Sequence, residues 1–421
     1  MNINEDFLHY VWKNRLFNLP LYLLTGEEIE VIDPGQHNQD SGPDFFNAKI
    51  RIKGTVWAGN VEIHQNASDW NKHGHQNDDS YQNIILHVVQ NNDCEITSSD
   101  GQLIPTVEIT FNERLFTDYN SMLQNIGWIP CGSAIQNIDP LILNFWLSRL
   151  MVERLELKSE SVKKNFKESK GDWRETIFRQ LAKNFGFKIN SLPFELMAKS
   201  LNYKHLMNHN DSIFQIEALL FGQGGFLGEL KGDEYYLQLR GEYEFLRTKY
   251  NLKPINYNLW KFLRLRPANF PTIRIAQFAG LIAHNPGFIP GFFEYKVNQI
   301  ENILSSIYLS EYWKNHYVFN KISTSRLKSP GQSSIQNIII NTMVPVLFEY
   351  GCQTGNQEYR TKAFTLMENL APESNAVIRG WKNLKICVPN AFYSQALIHL
   401  KNNYCNFKKC LYCQVGNQIL R

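Results

Sequence analysis

Apolar residues recur at helical spacing near the start of the chain. Phe7, Leu8, Val11, Trp12 and Leu16 fall near one face of a 3.6-residue period and predict a helix over 5–18. The pattern then becomes one of strands. Residues 29–32 predict a short strand closed by Asp33-Pro34-Gly35. Residues 45–52 predict a second strand and residues 56–64 a third, with Lys53-Gly54-Thr55 as the turn between them. Residues 67–82 are polar, with Ser68-Asp69 as a candidate helix cap. Residues 83–89 form an apolar run suited to a sheet centre, and 103–111 add a further strand. The order α-β-β-β-α-β-β predicts a mixed sheet with helices over residues 1–115.

Beyond residue 115 the period changes. Residues 116–138 read as a connector, and from Asp139-Pro140 most segments carry helical spacing, beginning with Leu143, Trp146, Leu147, Leu150 and Met151. Asp172 with Glu175 resembles a capping box, and Gly186 a helix stop. Residues 211–221, 233–249, 271–284, 297–308, 335–349 and 388–403 predict further helices. Phe221-Gly222-Gln223-Gly224-Gly225 lacks the Lys-Ser/Thr of a P-loop and reads as a helix-ending turn. The fold class is therefore α+β. The expected division is an α/β domain over 1–115, a connector, a helical domain over 139–395 and a cysteine-containing tail over 396–421.

Composition narrows the classes. Of 421 residues, 43% are hydrophobic and 13% aromatic, which excludes wholesale disorder. No apolar run reaches the length that spans a bilayer, and the acidic start lacks the pattern of a signal peptide. The expectation is a cytoplasmic protein without a membrane partner. Seven cysteines in a chain this long do not suggest a disulfide scaffold. The net charge of +3 hides an asymmetry: residues 1–115 sum to −10 and residues 116–421 to +13. This suits a carboxylate-rich metal site followed by a basic grip on a polyanion, and equally two domains docked by charge.

The candidate chemistry lies in the sheet. Gly42-Pro43-Asp44 enters the second strand, and Glu62-Ile63-His64 ends the third. Glu62 and His64 are two apart and share a face. A three-residue turn pairs Ile52 with Val56, which sets Asp44 opposite His64 and diagonal to Glu62. Two converging carboxylates can hold Mg²⁺ or Mn²⁺, with His64 orienting or deprotonating water. The alternative is that Glu62 and His64 only line a solvated strand face. His73-Gly74-His75 offers two further imidazoles for a transition metal. His87, inside an apolar strand, reads as a satisfied core histidine.

Pro43-Asp44 with Glu62-x-His64, on this element order, resembles the PD-(D/E)XK nuclease superfamily. The resemblance implies a restriction-endonuclease-like fold and Mg²⁺-dependent hydrolysis of nucleic-acid phosphodiesters, with Asp44 and Glu62 as metal ligands. His64 stands at the superfamily's lysine position, a departure that leaves Lys49 or Lys53 as other sources of charge. The chain also resembles the bacterial domain of unknown function 2851 family. That likeness is carried by residues 42–48, 59–64, 68–70 with 73–75, 85–89, 221–225 and 264–274, and it implies no activity.

Two further motifs complete the reading. Residues 260–274 mix Arg264, Arg266 and Arg274 with aromatics, a combination that holds phosphates and stacks bases of DNA or RNA. Their structural alternative is pairing with Glu242 or Glu244. Cys405-x₄-Cys410-x₂-Cys413 offers three thiolates, with Cys131 or His399 as a fourth ligand for zinc or an iron–sulfur cluster. Some PD-(D/E)XK nucleases carry such an iron–sulfur staple, with one cysteine before the nuclease core; here Cys131 follows it. Cys94, Cys352 and Cys387 read as isolated buried residues. The leading expectation is a metal-dependent nucleic-acid phosphodiesterase. The alternatives are a catalytically inactive nucleic-acid-binding module and an interaction protein with a metal-stapled tail.

Overall fold

The computed structural model describes residues 3–38 and 40–421. The chain forms two compact units. One comprises residues up to Trp146 together with Leu400–Arg421, and the other is Leu147–His399. The segment read as a connector and the cysteine tail thus both belong to the sheet-bearing unit.

That unit opens with helix α1, Glu5–Lys13. The Phe7 N–H donates to Asn4 Oδ1 at 3.1 Å, and acids in the first turn with Lys13 in the last suit the helix dipole. The strands are β1 (Leu21–Tyr22), β2 (Glu28–Asp33), β3 (Gln36–His37), β4 (Phe45–Ile52), β5 (Thr55–Asn66), β6 (Ile84–Asn91) and β7 (Thr106–Glu108). They form one mixed sheet in the order β1-β2-β4-β5-β6-β7, with β3 also paired to β4. β5–β6 and β6–β7 are parallel, and the other pairs are antiparallel. Helix α2 (Asp69–His73) lies between β5 and β6, and α3 (Glu113–Gln124) follows β7. The strand expected over 103–111 shrinks to three residues. Helix α3 runs into the supposed connector, capped by Asn112 and burying Phe116, Tyr119 and Met122 at i, i+3, i+6.

The register differs from the expected one twice. The turn has two residues: Lys53 and Gly54 both take positive φ, the backbone that suits a tight hairpin, so Ile52 pairs with Thr55. A bulge between Phe45 and Ala48, with Asn47 at φ 57°, then shifts the pairing again and sets Phe45 opposite Val61. Asp44 therefore sits beside Glu62 rather than opposite His64.

Alternation along β5 and β6 separates two faces. Phe45, Val61, Ile63, Leu86 and Val88 join the main core, which α1 covers with Phe7, Leu8, Val11 and Trp12. Leu411 and Leu420 from the tail complete it. The other face carries Glu62, His64, His87 and Val89 and lies under Trp70 of α2, which packs with Val89, Ile96 and Ile104.

The second unit is nearly all helical. It begins within α4 (Pro140–Glu168) and continues through α5 (Trp173–Phe185), α6 (Ser191–Lys199), α7 (Tyr203–Met207), α8 (Ile213–Gln223), α9 (Glu234–Tyr250) and α10 (Pro271–His284). Asp172 caps α5 through the N–H groups of Arg174 and Glu175, and Gly186 ends it, as the sequence predicts, but the expected capping box does not close: the Glu175 carboxylate accepts from Arg179 and from the Tyr203 N–H instead. Shorter helices follow between 297 and 399, with a small hairpin at 316–322. Of the glycine-rich run, Gly224 and Gly225 end α8, whereas Gly222 is inside it, where a Cβ would meet the Tyr243 ring at 2.0 Å. Among the described residues, no helix is long and apolar enough to cross a membrane.

Candidate metal centre

The strand shift after the bulge brings two carboxylates into a reciprocal clasp. The Asp44 N–H donates to Glu62 Oε2 at 3.0 Å, and the Ile63 N–H donates to Asp44 Oδ2 at 3.0 Å. His9 of α1 places Nε2 3.1 Å from the same Asp44 oxygen. Asp44 and Glu62 are therefore adjacent, as expected, but one oxygen of each is engaged by backbone.

Glu62 Oε1 faces the histidines instead. It lies 3.3 Å from His75 Nε2 and 3.6 Å from His64 Nε2. His64 Nε2 is in turn 3.2 Å from His73 Nδ1. One ring nitrogen from each of His64, His73 and His75 lies within 4.8 Å of the other two. Local structure explains the convergence. His64 points off β5 beneath α2, His73 ends α2, and Gly74 at φ 78° turns the chain back so that His75 returns to the same point. His75 stacks on Tyr81 at 4.0 Å and lies edge-on to Trp70 at 5.3 Å, which hold its ring.

Behind this group His64 Nδ1 is 2.8 Å from His87 Nε2. When His64 carries its proton on Nδ1 and donates it to His87, its Nε2 lone pair faces His73 and Glu62. That arrangement suits a ligand backed by a second hydrogen-bonding group. His87 Nδ1 is buried without a hydrogen-bond partner among the described residues, and His75 Nε2 faces the Glu62 carboxylate at 3.3 Å. Three imidazole nitrogens that converge on one point beside a carboxylate oxygen are a donor set that suits a bound cation.

Glu62 and His64 are 4% and 1% exposed, so the solvated-face alternative is overturned. Burial, then the neighbouring His87, His75 and His73, hold the His64 imidazole down to about 2, so it is neutral at ordinary pH. Burial likewise lowers His87 to about 3. Burial raises the Glu62 carboxyl, against the pull of His75. For His9, burial works to lower the imidazole, but the Asp44 carboxylate outweighs it and the net shift is upward. Glu5 of α1 is raised by burial and feels the charges of His73, Asp44 and His9. Glu5 and His9 were not singled out in the sequence; their one local signal is i, i+4 spacing on α1.

The other candidates lie elsewhere. Arg264 and Arg266 are exposed on a loop of the helical unit. Arg274 is 5% exposed: its guanidinium donates to Gln277, Asn269 and Ser334 and lies over the Phe187 ring. It is thus turned inward, away from any nucleic acid, on neutral partners rather than on Glu242 or Glu244. Cys131, Cys405, Cys410 and Cys413 line one pocket of the first unit. Burial raises the Cys131 thiol to about 12 and Cys410 to about 11. His399 belongs to the helical unit, where its Nε2 is 3.1 Å from Glu153. Cys94 is half-buried, and Cys352 and Cys387 are exposed, contrary to the expectation that all three are buried.

A family model, described as a protein of unknown function (DUF2851), matches residues 5–376. Neither a curated protein nor a solved structure matches the chain.

Proposed function

The chain belongs to the DUF2851 family, and we propose from its site that it is a metal-dependent phosphodiesterase acting on DNA or RNA. The observation that carries this reading is the convergence of His64, His73 and His75 on one point beside Glu62 Oε1. The donor set is richer in nitrogen than the carboxylate pair expected from the sequence. Imidazoles favour manganese, zinc or iron over magnesium. In this reading His64 is a ligand rather than the base, with His87 fixing its tautomer. His64, His73 and His75 would hold such an ion, which would supply polarisation of a phosphoryl oxygen and a more acidic water near neutral pH. Asp44 holds β4 against β5 and, with His9, presents an acid–base pair beside the centre. The resemblance in element order and in Asp44 and Glu62 supports phosphodiesters as the substrate class. The basic balance of residues 116–421, with Arg264 and Arg266 exposed, supports a polyanionic partner.

The test combines metal analysis of the purified chain with cleavage of labelled single- and double-stranded DNA and RNA in Mg²⁺, Mn²⁺ or Zn²⁺. Cleavage is expected to fall by roughly 100-fold or more in His75→Ala and Glu62→Gln, since loss of even a ligand's supporting partner costs about 10–100-fold. Full cleavage by Glu62→Gln would overturn the assignment. Salt-dependent binding without cleavage would leave an inactive nucleic-acid-binding module. Neither binding nor cleavage would leave an interaction protein.

A further inference from the structure

Four of the seven cysteines meet at one place far apart in sequence. Cys131 follows α3, and Cys405, Cys410 and Cys413 lie in the segment that returns to the first unit. All four line a single pocket, together with Gly416. A Cβ at Gly416 would lie 2.1 Å from the Cys410 carbonyl, so the Cys410–Cys413 loop is folded as tightly as a glycine allows. Cys410 and Cys413 are buried and Cys131 and Cys405 half-buried, and none is paired in a disulfide.

We infer that Cys131, Cys405, Cys410 and Cys413 hold an iron–sulfur cluster that clips residues 400–421 to the sheet unit. Spacing and separation favour a cluster over mononuclear zinc. Cys405-x₄-Cys410-x₂-Cys413 with one distant cysteine matches the C-x₄-C-x₂-C arrangement of plant-type clusters, although here the distant ligand precedes the run. Zinc bonds of about 2.3 Å keep four thiolate sulfurs within roughly 4 Å of one another. Among the described residues the histidine group is the one whose donor atoms all lie within 4.8 Å, so no three of these sulfurs are that close. A cluster interposes iron and sulfide between its ligands and suits the wider set. The consequence is local: the same loop carries Tyr412, whose hydroxyl donates to Asp6 of α1 at 3.2 Å and whose ring lies 6.3 Å from that of His37. The family match ends at residue 376, so three of the four ligands lie outside what membership describes.

The experiment uses the full chain, purified without oxygen and reconstituted with ferrous iron and sulfide. Iron, acid-labile sulfide and zinc are measured together with visible absorption and electron paramagnetic resonance after reduction. Equal amounts of iron and sulfide with a visible charge-transfer band are expected. Cys410→Ser should lose both to background, whereas Cys352→Ser and His75→Ala should keep the sulfide. Zinc without sulfide, or no sulfide at all in the wild type, overturns the inference. The wild type alone decides, so misfolding of Cys410→Ser leaves the test intact. Iron on the histidine centre brings no sulfide, which separates this result from that of the phosphodiesterase test.

Discussion

A buried imidazole is tolerable when neutral, and His64 and His87 show what that implies for pH. Both fold with proton affinities far below the unfolded value of 6.5, at about 2 and about 3. The unfolded chain therefore takes up more protons below pH 6.5. Their contribution to stability is complete above that pH and is lost as pH falls toward the folded values. Metal-free protein should lose at most about 1.4 kcal/mol per pH unit per histidine below pH 6.5. Urea unfolding at pH 7.5 and pH 5.5 checks this, and His87→Phe should flatten the slope. Glu62, raised by burial, contributes the opposite slope, which Glu62→Gln removes. In the helical unit Glu217 is fully buried and raised to about 7 by burial, despite hydrogen bonds from Tyr235, Ser310 and Trp313. Its folded value lies above the ordinary carboxylate value of 4.5, so its contribution is complete below pH 4.5 and is lost as pH rises through about 7. Glu217→Gln should therefore stabilise the protein at pH 8, by up to roughly 3 kcal/mol, and change little at pH 4.5. Glu62 and His64 were legible in the sequence because a strand's period of two joins them. Glu217 and His9 were not, because tertiary packing alone decides what surrounds them.

At the scale of elements, alternation located β4 to the residue but could not set its register. A turn of two residues instead of three moves every pairing by one, and the bulge at Asn47 moves it once more. Neither leaves an apolar or polar signature, yet together they decide that Asp44 meets Glu62. Asn47 occupies left-handed backbone that a β-branched residue resists. Asn47→Val should cost about 1–2 kcal/mol and weaken metal binding at the histidines, read by thermal unfolding and by metal titration. Gly222 presents the converse case. Alanine there gains about 1 kcal/mol of helix propensity. Its methyl would collide with the Tyr243 ring, which is tied through its hydroxyl to Gln223 at 2.8 Å. Gly222→Ala should thus be net destabilising by about 1–3 kcal/mol in chemical denaturation. A helix-ending turn was the sequence reading of this run. It holds for Gly224 and Gly225, but Gly222 answers to the neighbouring helix α9.

For the whole molecule, the change of period near residue 140 announced the helical unit well. The return of residues 400–421 to the first unit gave no such warning. Its ties are scattered: Leu411 and Leu420 in the core, Tyr412 to Asp6, and Arg421 to Asn14 at 2.8 Å. None forms a period. Removing residues 400–421 should lower the melting temperature of the sheet unit while leaving that of residues 147–399 nearly unchanged. Calorimetry with limited proteolysis checks it, since a uniform loss across both units would contradict the division. The same topology bears on synthesis. Residues 147–399 leave the ribosome before residues 400–421 can fill the sheet unit's core. The first segment made therefore waits, incompletely buried, for more than half of the chain, and a nascent product stopped before the last cysteines would carry an open core that proteolytic quality control can recognise.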